Sequence, residues 1–117
     1  FPLSRGIARQ YADAMIVNGK LDDASKFLRD QVQLYREEPK LHDLLARTYA
    51  AQGKITLQHI ALAESYALGG SVLAALDQLN VARKSKDASF YDMSLIDARE
   101  REWQKKRRDE LEEAKKQ

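Results

Sequence analysis

The stretch His42-x2-Leu45-Ala46-x2-Tyr49-x3-Gly53 is followed by His59-x2-Leu62-Ala63-x2-Tyr66-x3-Gly70, the same spacing written again 17 residues later. The histidine, leucine, alanine and tyrosine of each copy share one face of a helix, and the glycine stands where that face ends. The step is half of the roughly 34-residue period of a helix-turn-helix repeat that stacks into a solenoid. Any amphipathic helix supplies the apolar members, so the repeat rests on the glycines and tyrosines. Such a stack points to a docking scaffold rather than an enzyme.

One full period before Gly53 lies Gly19, with Tyr11, Ala12 and Met15 in the leucine, alanine and tyrosine places of a looser third copy. After Gly19 and Gly70, the second helices offer small residues to their partners: Ala24 in one, Ala75 and Ala82 in the other. After Gly53 the same place holds Gln58, which packs less well against a neighbouring helix. Segment 55–69 therefore has two duties, as second helix of one pair and first helix of the next.

Punctuation at Asn18-Gly19, Glu38-Pro39, Gly53 and Gly69-Gly70 divides the chain into helices over about 3–18, 21–36, 40–52, 55–69, 71–85 and 89–115. The short connections predict antiparallel neighbours. Pro39 suits a first helical turn, where its missing amide hydrogen costs nothing. Asp22 and Asp23 suit the positive end of the second helix, and Lys84 and Lys86 the negative end of the fifth. Asp87 is the expected cap of the last helix, and no segment has a strand pattern. The fold class expected is all-α, a helical solenoid of about six antiparallel helices with a long charged C-terminal helix.

The 117 residues amount to one domain. They contain no cysteine, so disulfides and thiolate metal sites are excluded. There is no signal-peptide pattern and no apolar run long enough to cross a bilayer. The opening Phe1-Pro2, without an initiator methionine, suggests a piece of a longer protein. Residues 99–117 hold eight Lys or Arg against six Asp or Glu, and so carry the whole net charge of +2. Residues 1–98 are balanced, which argues against nucleic acid as a partner. In the last helix Lys105 with Asp109, Lys106 with Glu110 and Arg108 with Glu112 are spaced to support helicity. The expected division is a repeat domain over 1–104 and a charged helical extension over 105–117. Order is expected to weaken past Trp103, since only Leu111 and Ala114 are apolar there.

Trp103 is expected to pack as the last large anchor of the core, and Phe90 with Tyr91 to close the final repeat. A search for chemistry finds little. His42 and His59 belong to no H-E-x-x-H pair and occupy equivalent repeat places, which favours packing or interhelix hydrogen bonds. Ser65 beside Glu64 and Ser94 with Asp97 are ordinary helix-surface composition. Gly69-Gly70 lacks the strand and the downstream Lys-Ser or Lys-Thr of a phosphate loop.

The stretch Leu34-Tyr35-Arg36, Pro39 through Ala46, Tyr49, Gly53-Lys54, Leu57-Gln58-His59, Leu62-Ala63-Glu64, Tyr66 and Gly70 resembles the C-terminal tetratricopeptide-type region of bacterial periplasmic zinc metalloproteases, the BepA group. Phe90-Tyr91, Ser94 and Ile96 through Arg99 resemble the close of that region, and the likeness covers roughly residues 5–102, the 17-residue step included. The resemblance implies a periplasmic, non-catalytic half of a two-domain enzyme. Its zinc would sit in an N-terminal protease domain bearing H-E-x-x-H, a motif absent from this chain, and no cofactor is expected in these residues. The partners implied are that protease domain and misfolded outer-membrane proteins or their assembly machinery.

In tetratricopeptide repeats generally, partners lie along the face formed by first helices. The inward positions map to Arg9, Asp13, Ile16, Lys40, Asp43, Arg47, Ile60 and Glu64, and the charged members are the candidate partner-binding residues. Asp13 and Leu44 stand where a clamp for a terminal carboxylate would have asparagine and arginine, which argues for extended or apolar partner surfaces. Arg9 and Arg47 lead the candidates, because arginine is over-represented among residues that dominate interfaces. Two other functions stay open: a stand-alone adaptor unrelated to proteolysis, and an intramolecular brace that gates the protease cleft.

Overall fold

Three glycines end three helices in the same way. Gly19, Gly53 and Gly70 have φ of 76°, 75° and 88°, the left-handed region that a side chain makes costly. In each case the residue after the glycine donates its amide to the carbonyl five residues back: Lys20 to Met15, Lys54 to Tyr49 and Ser71 to Tyr66, all at 2.9 Å. The glycine amides donate to Ile16, Ala50 and Ala67, completing the paired bonds that close a helix on a left-handed residue. The repeat unit is thus a helix with a fixed stop, and the acceptor is the residue in the tyrosine place of each copy.

The computed structural model describes residues 4–116, and the expected first residue of the first helix, Leu3, lies outside them. Among the described residues there are six helices and no strand: α1 (Arg5–Val17), α2 (Leu21–Leu34), α3 (Pro39–Ala51), α4 (Ile55–Leu68), α5 (Val72–Arg83) and α6 (Phe90–Lys115). The starts follow local chemistry. Ser4 Oγ accepts from the Ile7 amide at 3.3 Å. Glu38 caps α3 ahead of Pro39. Ser89 and Asp92 exchange side-chain to backbone bonds in a capping box at the head of α6. Asp87, expected to cap α6, instead reaches back to α4: its carboxylate accepts from the Ile55 amide (2.9 Å), the Thr56 amide (3.1 Å) and Thr56 Oγ1 (2.6 Å).

Each helix packs on the next in sequence, giving an all-α, solenoid-like arrangement. The longer-range contacts are the informative ones. α1 packs on α3, and α4 packs on α6, whereas α3 and α5 do not touch. In a regular stack α5 would follow α3 as the next first helix, so it is α4 that takes this role. The 17-residue step is the cause, because it gives α4 the first-helix pattern one helix early.

Burial records the double duty of α4. One core holds Ala12, Leu28, Leu41, Leu44, Leu45 and Tyr49, with Ala61 of α4. The other holds Val72, Ala75, Leu79, Ile96 and Trp103, with Ile60 and Ala63 of α4. A helix apolar on two faces is the form a shared wall requires. Ala24, Ala75 and Ala82 are fully buried, as their places in the second helices predict. Trp103 is buried in the second core, and Arg83 of α5 ties Asp97 (2.7 Å) and Glu100 (3.2 Å) of α6 to it.

Phe90 and Tyr91 do not close the last repeat. They are 90% and 75% exposed, because the capping box turns Asp92, not the aromatics, into the fold. Tyr66, equivalent to buried Tyr49, is also 42% exposed. No break marks the expected boundary at 104 and 105: α6 runs on to Lys115, with Lys105 Nζ 2.8 Å from Asp109 Oδ2. Those 26 residues make a rod of about 39 Å. The radius of gyration of 15.2 Å accordingly exceeds the ~13 Å expected for a compact chain of this length.

Candidate functional site

Two grooves are built from the same repeat positions. The first, of about 550 Å³, is lined by Gly6, Arg9, Gln10 and Asp13 of α1 and by Lys40, Asp43, Leu44 and Arg47 of α3. Each α3 member is the α1 member 34 residues on. Five of the six candidate partner-binding residues, Arg9, Asp13, Lys40, Asp43 and Arg47, therefore meet here. Arg47 Nη2 is 3.2 Å from Asp13 Oδ1, with both side chains more than half exposed. Asp43 accepts from Ser65 Oγ at 2.5 Å, which ties this wall to α4. Ser65 is buried, so it is no surface residue as its composition implied.

The sixth candidate, Glu64, occupies the same repeat position as Asp13 and Arg47 yet faces elsewhere. It lies in a second groove of about 530 Å³, where Glu64 Oε1 accepts from Arg99 Nε at 2.5 Å. Ile60 is here too, while Ile16 lines neither groove and packs against the first core. The half-period step separates them: a first helix one half-unit early pairs with α6 instead of extending the face of α1 and α3.

The second groove has a floor of Leu45 and Tyr49 from α3 and of Leu57, Ile60 and Ala61 from α4. One wall is α2 and the turn after it, through Arg29, Val32 and Gln33 of the helix and Arg36 of the turn; the other is α6, through Tyr91, Leu95 and Arg99. Leu57, Ile60, Ala61 and Glu64 are the α4 equivalents of Lys40, Asp43, Leu44 and Arg47. Apolar residues thus replace charges at two of the four positions. That substitution was readable in the sequence, as was the spacing of Arg29 and Gln33 along one face of α2. What was not readable is that α2 and α6 flank the same surface.

The two histidines divide as their surroundings dictate. His59 Nδ1 lies 2.7 Å from Gln78 Oε1 of α5, an interhelix bond of the kind expected. His42 lines the second groove, and burial pushes its pKa below 6.5 against the opposing pull of Glu64 and Asp43. Among the described residues no group of three or more His, Asp or Glu is placed to hold a metal ion. No described helix is long and apolar enough to cross a membrane.

Comparison with known proteins adds no relative: no family model, curated protein or solved structure matches the chain.

Proposed function

We propose that this chain is a non-catalytic protein-docking domain whose first-helix groove, between α1 and α3, receives a segment of another polypeptide. The observation that carries the reading is the convergence of Arg9, Asp13, Lys40, Asp43 and Arg47 from repeat-equivalent positions onto one open groove. Asp13 and Arg47 neutralise one another, while Arg9, Lys40 and Asp43, the last oriented by the Ser65 hydroxyl, make no ion pair among the described residues. Rigid helices hold these groups, so a partner meets a surface that is already arranged.

The sequence resemblance extends the proposal to a setting. The domain would serve a periplasmic zinc metalloprotease in outer-membrane protein quality control, presenting misfolded substrate or assembly machinery to the catalytic half. Photo-crosslinking from Gln10 and Leu44, carried out in the full-length protein, tests both levels. Crosslinks to an outer-membrane substrate support the proposal. Crosslinks confined to the protease domain support the intramolecular brace instead, and their absence from both positions rejects the groove as a docking face.

A further inference from the structure

The second groove differs from the first in chemistry as well as place. Its floor is apolar, with Leu45, Tyr49, Ile60 and Ala61 all less than 9% exposed at its base. Its cations are unequal. Arg99 is occupied, bonded to Glu64 and 3.3 Å from Glu102. Arg29 makes no ion pair among the described residues, and Arg36 reaches only the Gln33 carbonyl, at 3.4 Å. Among the described residues Glu64 is the one carboxylate lining the groove, and Arg99 neutralises it. The α2 wall therefore presents two uncompensated guanidiniums above an apolar trough.

We propose that this groove is a second docking site, for an acidic polypeptide segment whose apolar side chains rest on the α3 and α4 floor while its carboxylates meet Arg29 and Arg36. Charge complementarity selects the occupant. A basic segment would meet like charges along α2, and a purely apolar one would leave both guanidiniums without partners. Arg29 stands on α2 and Arg36 in the turn that follows it, and both line the same wall of the groove. Carboxylates of the segment accept from them, each guanidinium donating a bidentate pair of N–H bonds. On the opposite wall Tyr91, 75% exposed at the head of α6, supplies an aromatic surface that the fold itself does not use.

The 117-residue chain is titrated with a short fluorescein-labelled peptide alternating glutamate and leucine, and separately with its lysine analogue, using fluorescence anisotropy. The glutamate peptide is expected to bind, more weakly as salt rises, and the lysine analogue to bind at least tenfold less tightly. Arg29→Glu with Arg36→Glu is expected to weaken binding about tenfold or more, and Tyr91→Ala to weaken it several-fold. All three residues are exposed and make no ion pair, so an unchanged circular-dichroism melt accompanies the loss. Asp13→Lys with Arg47→Glu alters the first groove only and is expected to leave this binding intact. Equal binding of the two peptides, or undiminished binding by the double arginine variant, overturns the proposal. So does loss of binding only in the Asp13 and Arg47 variant, which would assign the peptide to the first groove.

Discussion

Arg99 and Glu64 are joined at 2.5 Å across 35 residues, and the bond is the α4 to α6 counterpart of Arg47 with Asp13, joined at 3.2 Å across 34. Both pairs bind one first helix to the next. Their exposures set their worth. The Asp13 and Arg47 side chains are 54% and 59% exposed, those of Glu64 and Arg99 21% and 38%. A double-mutant cycle by urea denaturation is expected to give about 1–2 kcal/mol for Glu64→Gln with Arg99→Leu, where water competes less for the charged hydrogen bond. The cycle with Asp13→Asn and Arg47→Leu is expected to fall under about 0.5 kcal/mol.

The glycine stops make a contrast within one turn. Gly70 has φ of 88°, while Gly69 beside it has φ of −79°. A methyl added at Gly70 meets nothing within 4 Å, and one at Gly69 meets only the Ser65 and Tyr66 carbonyls at ordinary distances. Gly70→Ala is therefore expected to cost about 1–2 kcal/mol through backbone conformation alone. Gly69→Ala is expected to be neutral or stabilising by a few tenths of a kcal/mol, because it restricts the unfolded chain. Equal losses in chemical denaturation would contradict the assignment of the helix stop to Gly70.

Asp87 holds the start of α4 from the far side of α5. The hydroxyl bond from Thr56, more than the backbone amides it also accepts, keeps its carboxyl below the usual 3.8. Between its folded pKa and 3.8 the unfolded chain binds more protons, so stability rises with pH across that window. The contribution is complete above 3.8 and disappears as pH falls through the folded value. Asp87→Ala is expected to cost about 1 kcal/mol at pH 7, the scale of a lost helix cap. Faster amide exchange at Ile55 and Thr56 would accompany it, and unaltered exchange at both would refute the capping role.

His42 acts nearer neutrality and with the same sign. Burial lowers its pKa from 6.5, Glu64 and Asp43 raise it in part, and Arg99 adds to the lowering. Below 6.5 the unfolded chain takes up the proton first, so the folded state loses stability until pH reaches the depressed folded value. His42→Gln is expected to flatten the dependence of the urea midpoint on pH as it falls below 6.5. A slope identical to that of the parent protein would show that His42 is not the group responsible.

Helix order and the glycine stops were legible because both are local: a face of fixed spacing and a residue able to take positive φ lie within one short segment. The buried alanines were legible for the same reason. Asp87 was misplaced because its partner lies 31 residues back, where adjacency to α6 gives no guidance. Phe90 and Tyr91 read as apolar closure, but Ser89 with Asp92 sets the helix phase and turns them outward. The candidate charges were assigned to a single face, whereas Glu64 lines a different groove from the other five. Repeat position fixes where a side chain sits on its helix, and only the helix neighbours fix which groove it enters.

The doubled duty of α4 removes the seam at which a repeat array is ordinarily cut or lengthened. A regular stack gains or loses one unit and keeps every other interface, since each unit touches only its neighbours. Here Ile60 and Ala63 belong to one core and Ala61 to the other, within a single turn of helix. Deleting this helix would open both halves at once. A wall shared by both cores couples them, so the chain is expected to melt as one cooperative body rather than unit by unit.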